Sequence, residues 1–136
     1  FIKPEHDTLL DIVNKMKDNT NTMLSSIEHS FHISGINKHT ALDVIFRRNI
    51  FLIYKEILHN IIKHSHASQV SVRIEKKHNA LSLTAQDNGI GFNTNEHSDG
   101  NGLKSIQYRA KQIDGIFQIH SETGKGTIVS LHVKIP

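Results

Sequence analysis

Apolar residues recur at helical spacing through TLLDIVNKMKDNTNTML, residues 8–24, where Leu9, Ile12, Val13, Met16, Met23 and Leu24 share one stripe. That spacing predicts a first helix. From Ser26 to Ser34 the period shortens to two, with Ile27, Phe31 and Ile33 alternating with polar positions, which predicts a strand. Gly35–Thr40 reads as a loop, and residues 41–65 return to helical spacing as a second helix. On a wheel turning about 100° per residue, Phe51, Tyr54, Leu58, Ile61 and Ile62 cover one side of it. Val70, Val72 and Ile74 then alternate with Ser71 and Arg73. After a turn at Lys76–Asn79, Leu81, Leu83 and Ala85 do the same, so the two segments predict a hairpin. A loop over 88–101, rich in Gly, Asn, Asp and Ser, carries only Ile90 and Phe92 as apolar residues. A third helix is expected from about Leu103 to Ile113. Ile116–Ser121 and Thr127–Ile135 close the chain as a second strand pair around a Glu-Thr-Gly-Lys-Gly turn. With no internal repeat and no low-complexity tract, helices and hairpins in separate blocks predict an α/β fold: a two-layer sandwich, a mixed sheet with helices on one face.

Composition narrows the chemistry. The 136 residues suit one domain with one core. The absence of cysteine removes disulfides, thiolate zinc sites and cysteine nucleophiles. The longest apolar run, Ile50–Tyr54, is far too short to span a bilayer, and no basic-then-apolar leader opens the chain. A start at Phe1 rather than Met reads as a piece of a longer protein, whose parent could be membrane-bound. Net charge is +3, but the basic residues are scattered and six Phe and two Tyr give little to stack on bases. A solvated surface is expected rather than a nucleic-acid face. The 11 histidines raise the question of a metal. His59, His64 and His66 lack the i,i+4 pairing of zinc helices, and His29 and His32 fall on opposite faces of a strand, so no histidine metal site is expected.

Four constellations carry chemistry. The first is KEILHNIIKHSHAS, residues 55–68, where Glu56, Asn60, Lys63 and His64 share one arc of the second helix. Such a face is common on a solvated amphipathic helix. It would equally wall a groove, with hard oxygen donors for Mg²⁺ and a cation for phosphate. The second is LSLTAQDNGIGF. Parity puts Asp87 on the same side as Leu81, Leu83 and Ala85, hence inward, where a carboxylate needs donors. An Asx turn closing the strand would account for it, as would recognition of a ligand amine such as adenine N6. Gly89 and Gly91 would then let a flat ring approach the backbone. The third is Gly100-Asn101-Gly102 before a helix, a capping sequence that also offers N–H groups to an anion. The fourth is GKGT, residues 124–127, where Thr127 shares parity with Val129, Leu131, Val133 and Ile135.

Taken in order, these boxes make a pattern: Glu-x3-Asn-x2-Lys-His on a helix, Asp-x-Gly-x-Gly at a strand end, Gly-x-Gly before a helix, and Gly-x-Gly-Thr before a strand. It resembles the ATP-binding module of the GHKL superfamily of gyrase, heat-shock chaperone, histidine kinase and mismatch-repair ATPases, over roughly Thr8 to Pro136. The Lys-His-Ser-x-Ala run, the short loop from Asn93 to Asp99 and Gly-Leu-x-x-Ile-x-x-Arg-Ala are similar to the short-lid sensor histidine kinases of the nitrate-sensor and thermosensor branch. That branch commonly has Glu before the Arg, where this chain has Tyr108 before Arg109.

The resemblance implies a Bergerat-type ATP-binding fold over residues 8–136, preceded by a connector remnant at 1–7. It implies ATP and Mg²⁺, with Asn60 as metal ligand and Glu56 holding a metal-bound water or assisting as base. Lys63 and His64 would contact phosphate or ribose, and Asp87 and Thr127 would meet adenine over a floor of Gly89 and Gly91. Gly100, Gly102 and Leu103 would meet the phosphates where the lid joins the third helix. The γ-phosphoryl group would pass to a histidine on a separate dimerisation domain, and from the parent kinase to a response regulator. His6-Asp7 superficially resembles the acceptor pair, but the chain from His6 to Glu56 is too short for a two-helix hairpin plus the module's own first helix and strand. The fragment is therefore expected to be a cytoplasmic monomer without membrane or nucleic-acid contacts, from a membrane-anchored homodimeric parent. Two alternatives share the boxes: an anti-sigma-type serine kinase, and a non-catalytic nucleotide-binding module.

Overall fold

The structure is a computed structural model and describes residues 8–37, 39–92 and 101–136. The connector expected at 1–7, with its His6-Asp7 pair, lies outside the described residues, as do the loop from Asn93 to Asp99 and Gly100. Helix α1 (Leu9–Met23) begins at a reciprocal cap. The Asp11 N–H donates to Thr8 Oγ1 at 3.2 Å, and the Thr8 hydroxyl donates to the Asp11 carboxylate at 2.8 Å. Helix α2 (Val44–Asn60) begins where the extended Asp43 accepts the Phe46 N–H at 2.8 Å. This cap, absent from a reading by apolar spacing alone, sets the start at Val44 rather than at residue 41.

Among the described residues, five strands form one mixed sheet. They are β1 (Glu28–Ser34), β2 (Gln69–Lys77), β3 (Ala80–Asp87), β4 (Ile116–Ser121) and β5 (Thr127–Lys134), in the order β1-β2-β3-β5-β4. Only β1 and β2 run parallel. Register places Val72 opposite Ala85, Ala85 opposite Val129, and Leu83 opposite Leu131, and all of them are buried. Ser71, Arg73, Gln86 and His132 lie on the alternate face and are exposed. The helices therefore cover one face, and the core joins that face to Val13, Met16, Phe46, Ile53, Leu58 and Ile106. The two-layer α/β sandwich expected from the sequence is the observed architecture. Helix α3 (Asn101–Gln112) begins two residues before its expected start and packs on α2. Among the described residues no helix is long and apolar enough to cross a membrane.

The expected apolar side of the second helix needs correction at its end. After Asn60 the helix widens into a π-type turn at Ile61–Ser65, with an extra residue in the turn. The 100° phase slips there, and Ile62 is 42% exposed instead of buried. Phe51 is half-buried beneath two ammonium groups, Lys15 Nζ at 4.5 Å and Lys55 Nζ at 5.8 Å from its ring centroid. On the edge strand β1, Phe31 packs edge-on against Tyr54 with centroids 6.3 Å apart, while Ile33 is exposed.

One buried polar pair fastens α1 to α2. The Thr20 hydroxyl donates to the Met16 carbonyl at 2.7 Å and accepts the Tyr54 hydroxyl. Burial pushes the Tyr54 phenol well above its ordinary pKa, so it stays a neutral donor. Thr20→Val keeps the shape but leaves the Tyr54 hydroxyl buried without its acceptor. The expected cost is about 1–3 kcal/mol of stability, read by denaturant unfolding.

Candidate functional site

Glu56 and Asn60 sit one turn apart on α2, both half-buried. The first turn of α3 crosses them at Gly102. A Cβ on Gly102 would stand 2.4 Å from Glu56 Oε1 and 3.1 Å from Asn60 Oδ1. Glycine at this point is what lets the carboxylate and the amide oxygen lie against the start of the helix. Two hard oxygen donors suit Mg²⁺, which takes few protein ligands and leaves other positions to water and phosphate oxygens. Among the described residues no group of three or more His, Asp or Glu gathers as a denser metal cluster. Lys63 and His64 lie on the π-type turn just beyond and are exposed. The extra residue in the turn shifts the angular position of these two relative to Glu56 and Asn60 from that of a regular helix.

The second group of residues lies in one row across the end of the sheet. Register aligns Val70 with Asp87, Asp87 with Thr127, and Thr127 with Ser121. Asp87 is 5% exposed, on the helix-covered face as parity predicts. Its Oδ1 accepts the Gly89 N–H at 2.8 Å, and its carboxylate also accepts the Thr127 N–H. Burial nevertheless wins, and the Asp87 pKa is raised above the usual carboxylate value. A buried group with acceptor capacity and few donors is poised to take a hydrogen bond from a ligand.

The glycines around Asp87 have a cause that spacing does not show. A Cβ on Gly89 would lie 2.2 Å from the Ser65 carbonyl oxygen. Gly91, at φ +63°, would meet the Glu122 carbonyl at 2.0 Å, and Gly126, at φ +80°, the Asp87 carbonyl at 2.1 Å. The close approach they permit on these sides is that of the chain to itself. The same contacts tie the two groups of site residues together. Ser65 ends the π-type turn that follows Asn60, and its carbonyl accepts the Ile90 N–H at 2.8 Å, just past Asp87. The Ser65 hydroxyl donates to the Ile61 carbonyl at 2.6 Å, and it accepts the Ala67 N–H at 3.0 Å.

Gly102, Asn60 and Glu56 thus meet, and Asp87, Gly89 and Thr127 meet, while Leu103 packs partly buried against the core beside the first group. Asn88 was no sequence candidate, yet its Oδ1 accepts the N–H groups of Ser68 and Gln69, each at 2.9 Å, and clamps the end of β3 to the start of β2. Ser121 was not one either, although it shares parity with Phe117 and Ile119 and faces Thr127 across a short turn. Arg109, beside the exposed Tyr108, reaches α2 instead of a neighbouring glutamate. Its Nη1 donates to Asn49 Oδ1 at 3.4 Å.

A family model described as the histidine kinase-, DNA gyrase B-, and HSP90-like ATPase matches residues 47–136. The chain is 33% identical over 110 residues to the sensor histidine kinase ComP of Bacillus subtilis, covering 77% of this chain and 14% of that protein. It is 37% identical over 98 residues to the sensor histidine kinase LiaS of Bacillus subtilis, covering 71% of this chain and 27% of the other. The chain thus spans about a seventh to a quarter of these curated relatives. In fold it is similar to the histidine kinase domain of the Erythrobacter litoralis EL346 blue-light activated histidine kinase, with a TM-score of 0.76 at 14% identity over 99% of this chain and 66% of that one. The Acinetobacter baumannii histidine kinase AdeS gives a TM-score of 0.72 at 19% identity over 95% of this chain and 66% of that one.

Proposed function

The chain belongs to the histidine kinase-, DNA gyrase B- and HSP90-like ATPase family, and from that premise we propose that it is the catalytic ATP-binding domain of a two-component sensor histidine kinase. It binds ATP with Mg²⁺ and delivers the γ-phosphoryl group to a histidine on a separate dimerisation domain. Residues 8–136 make up the ATPase unit and residues 1–7 the end of a connector. The parent is a membrane-anchored homodimer whose cytoplasmic kinase passes the phosphoryl group to a response regulator.

The observation that carries the reading is the coexistence, in one fold, of a buried acceptor at Asp87 and an oxygen pair at Glu56 and Asn60 set against Gly102. Asp87 accepts the adenine amino group and so rejects guanine, which presents a carbonyl at that place. Asn60 supplies its amide oxygen to Mg²⁺, and Glu56 holds a water or takes a proton beside it. The ion, when bound, neutralises charge on the phosphate oxygens. Lys63 and His64, free to reach out from the π-type turn, contact phosphate or ribose, and Gly102 and Leu103 set the first turn of α3 at the phosphates. Phosphoryl transfer asks a protein mainly for this positioning and charge neutralisation. The names of the relatives favour a histidine over a serine acceptor.

The test is calorimetric titration of Mg²⁺-ATP into the chain, with GTP as the control. ATP binding with GTP at least about 10²-fold weaker is expected from a pocket built on one buried acceptor. Equal binding of both nucleotides, or of neither, would remove the assignment.

A further inference from the structure

The Ser121 side chain stands at a junction that the proposed chemistry does not use. Its Oγ accepts the Phe92 N–H at 2.8 Å. It faces two more oxygens, the Thr127 Oγ1 at 2.7 Å and the Gly126 carbonyl at 3.2 Å. Gly126 itself packs on the Asp87 carbonyl, and Thr127 is Asp87's register partner, donating its N–H to that carboxylate. Ser121, Thr127 and Asp87 therefore share one face of three neighbouring strands.

A serine hydroxyl has one hydrogen and two acceptor lone pairs. If the Ser121 hydrogen goes to the Gly126 carbonyl, Thr127 must give its own hydrogen to Ser121, and it then presents only lone pairs beside Asp87. If the hydrogen goes to Thr127, the Thr127 hydrogen is released to donate outward. The shorter of the two contacts is the one to Thr127, and Gly126 loses little at 3.2 Å. The ionised carboxylate next to it can only accept. The row then shows an acceptor and a donor side by side, which complements the adjacent N6 amine and N1 acceptor of adenine.

We propose that Ser121 is a positioning residue for base recognition: its hydroxyl donates to Thr127 and so turns the Thr127 hydroxyl into a donor for adenine N1, directly or through one water. The inference rests on the ATP reading above and adds to it a residue one strand further from the ligand. Ser121 does not touch the nucleotide, and it acts through Thr127.

The experiment compares ATP with 1-deazaadenosine triphosphate, in which N1 is a C–H, by calorimetry on the wild-type chain, Ser121→Ala and Ser121→Thr. The wild type is expected to prefer ATP. Ser121→Ala leaves the Thr127 hydroxyl able to donate but no longer held in place, and is expected to lose about 2- to 5-fold in ATP affinity while its affinity for the deaza analogue stays nearly unchanged. Ser121→Thr keeps a hydroxyl on a strand and is expected to restore the preference. Equal loss for both nucleotides in Ser121→Ala would reduce Ser121 to a structural bond and overturn the inference, as would no loss for either. The wild-type chain decides without any variant. ATP binding with no preference over the deaza analogue refutes the Ser121–Thr127 reading alone, whereas no binding of either refutes the ATP reading and this inference with it.

Discussion

Asp87→Asn is expected to lower ATP affinity by about 10²–10³-fold while the chain stays folded. The substituted side chain can keep one acceptor oxygen for the Gly89 N–H, now at 2.8 Å from Oδ1. Its amide hydrogens would then face two donors, the Thr127 N–H and the adenine amine, where the carboxylate accepted from both. A pH series sharpens the test. Burial raises the folded pKa of Asp87, so protonation begins at a pH where an exposed carboxylate, near 4, would still be charged. The native state holds that proton more tightly than the unfolded chain. As pH falls through this window the group therefore adds to fold stability, and as pH rises through it that contribution is lost. Adenine binding runs the other way, because a protonated Asp87 offers a hydrogen where an acceptor is needed. Wild-type ATP affinity should fall on acidification while the melting temperature gains from this group, and Asp87→Asn should lack both responses. Tight ATP binding by a folded Asp87→Asn variant would remove Asp87 from the site.

The parts of this fold that repeat with a fixed period were legible in the chain. Alternation in β2, β3 and β5 assigned the buried face, and because side-chain parity in a strand is strict it also carried Asp87 inward. What failed was phase at an irregular place. The arc of Asn60, Lys63 and His64 was read at a regular pitch, and the π-type turn at Ile61–Ser65 changes that pitch and exposes Ile62. Nothing in the composition IIKHS announces that turn, which is fastened by Ser65 to its own helix and to Ile90 from a distant loop. Glycine reasoning was incomplete in a related way. Spacing can say that Gly89 and Gly91 must lack a side chain, but only the folded chain shows that the crowding atoms belong to Ser65 and Glu122. Ser121 was readable in principle. Parity puts it beside Thr127 across the hairpin, but a serine before a turn has so many ordinary explanations that its three contacts emerge only from the structure.

The oxygen pair beside Gly102 leads to the second large effect. Asn60→Ala is expected to remove most of the difference between ATP affinity measured with Mg²⁺ and with EDTA, a loss of about 10- to 100-fold in the Mg²⁺ titration. Affinity in EDTA should change little, because Asp87 and Thr127 lie in a separate cluster that Asn60 does not support. The direction follows from the donor set. Asn60 contributes a neutral oxygen and Glu56 a charged one, and Gly102 keeps both against the first turn of α3, with no room for a Cβ at 2.4 Å from Glu56 Oε1. With Asn60 gone, the pair keeps only Glu56, which acts through a water, and a hard cation that dehydrates reluctantly loses its fixed protein ligand to solvent. The fold should tolerate the change, since Asn60 is only half-buried at the end of α2 and alanine is the best helix former. A folded Asn60→Ala chain whose ATP affinity still rises with Mg²⁺ as in the wild type would place the metal elsewhere. The role of the π-type turn would then have to be sought in Lys63 and His64 alone.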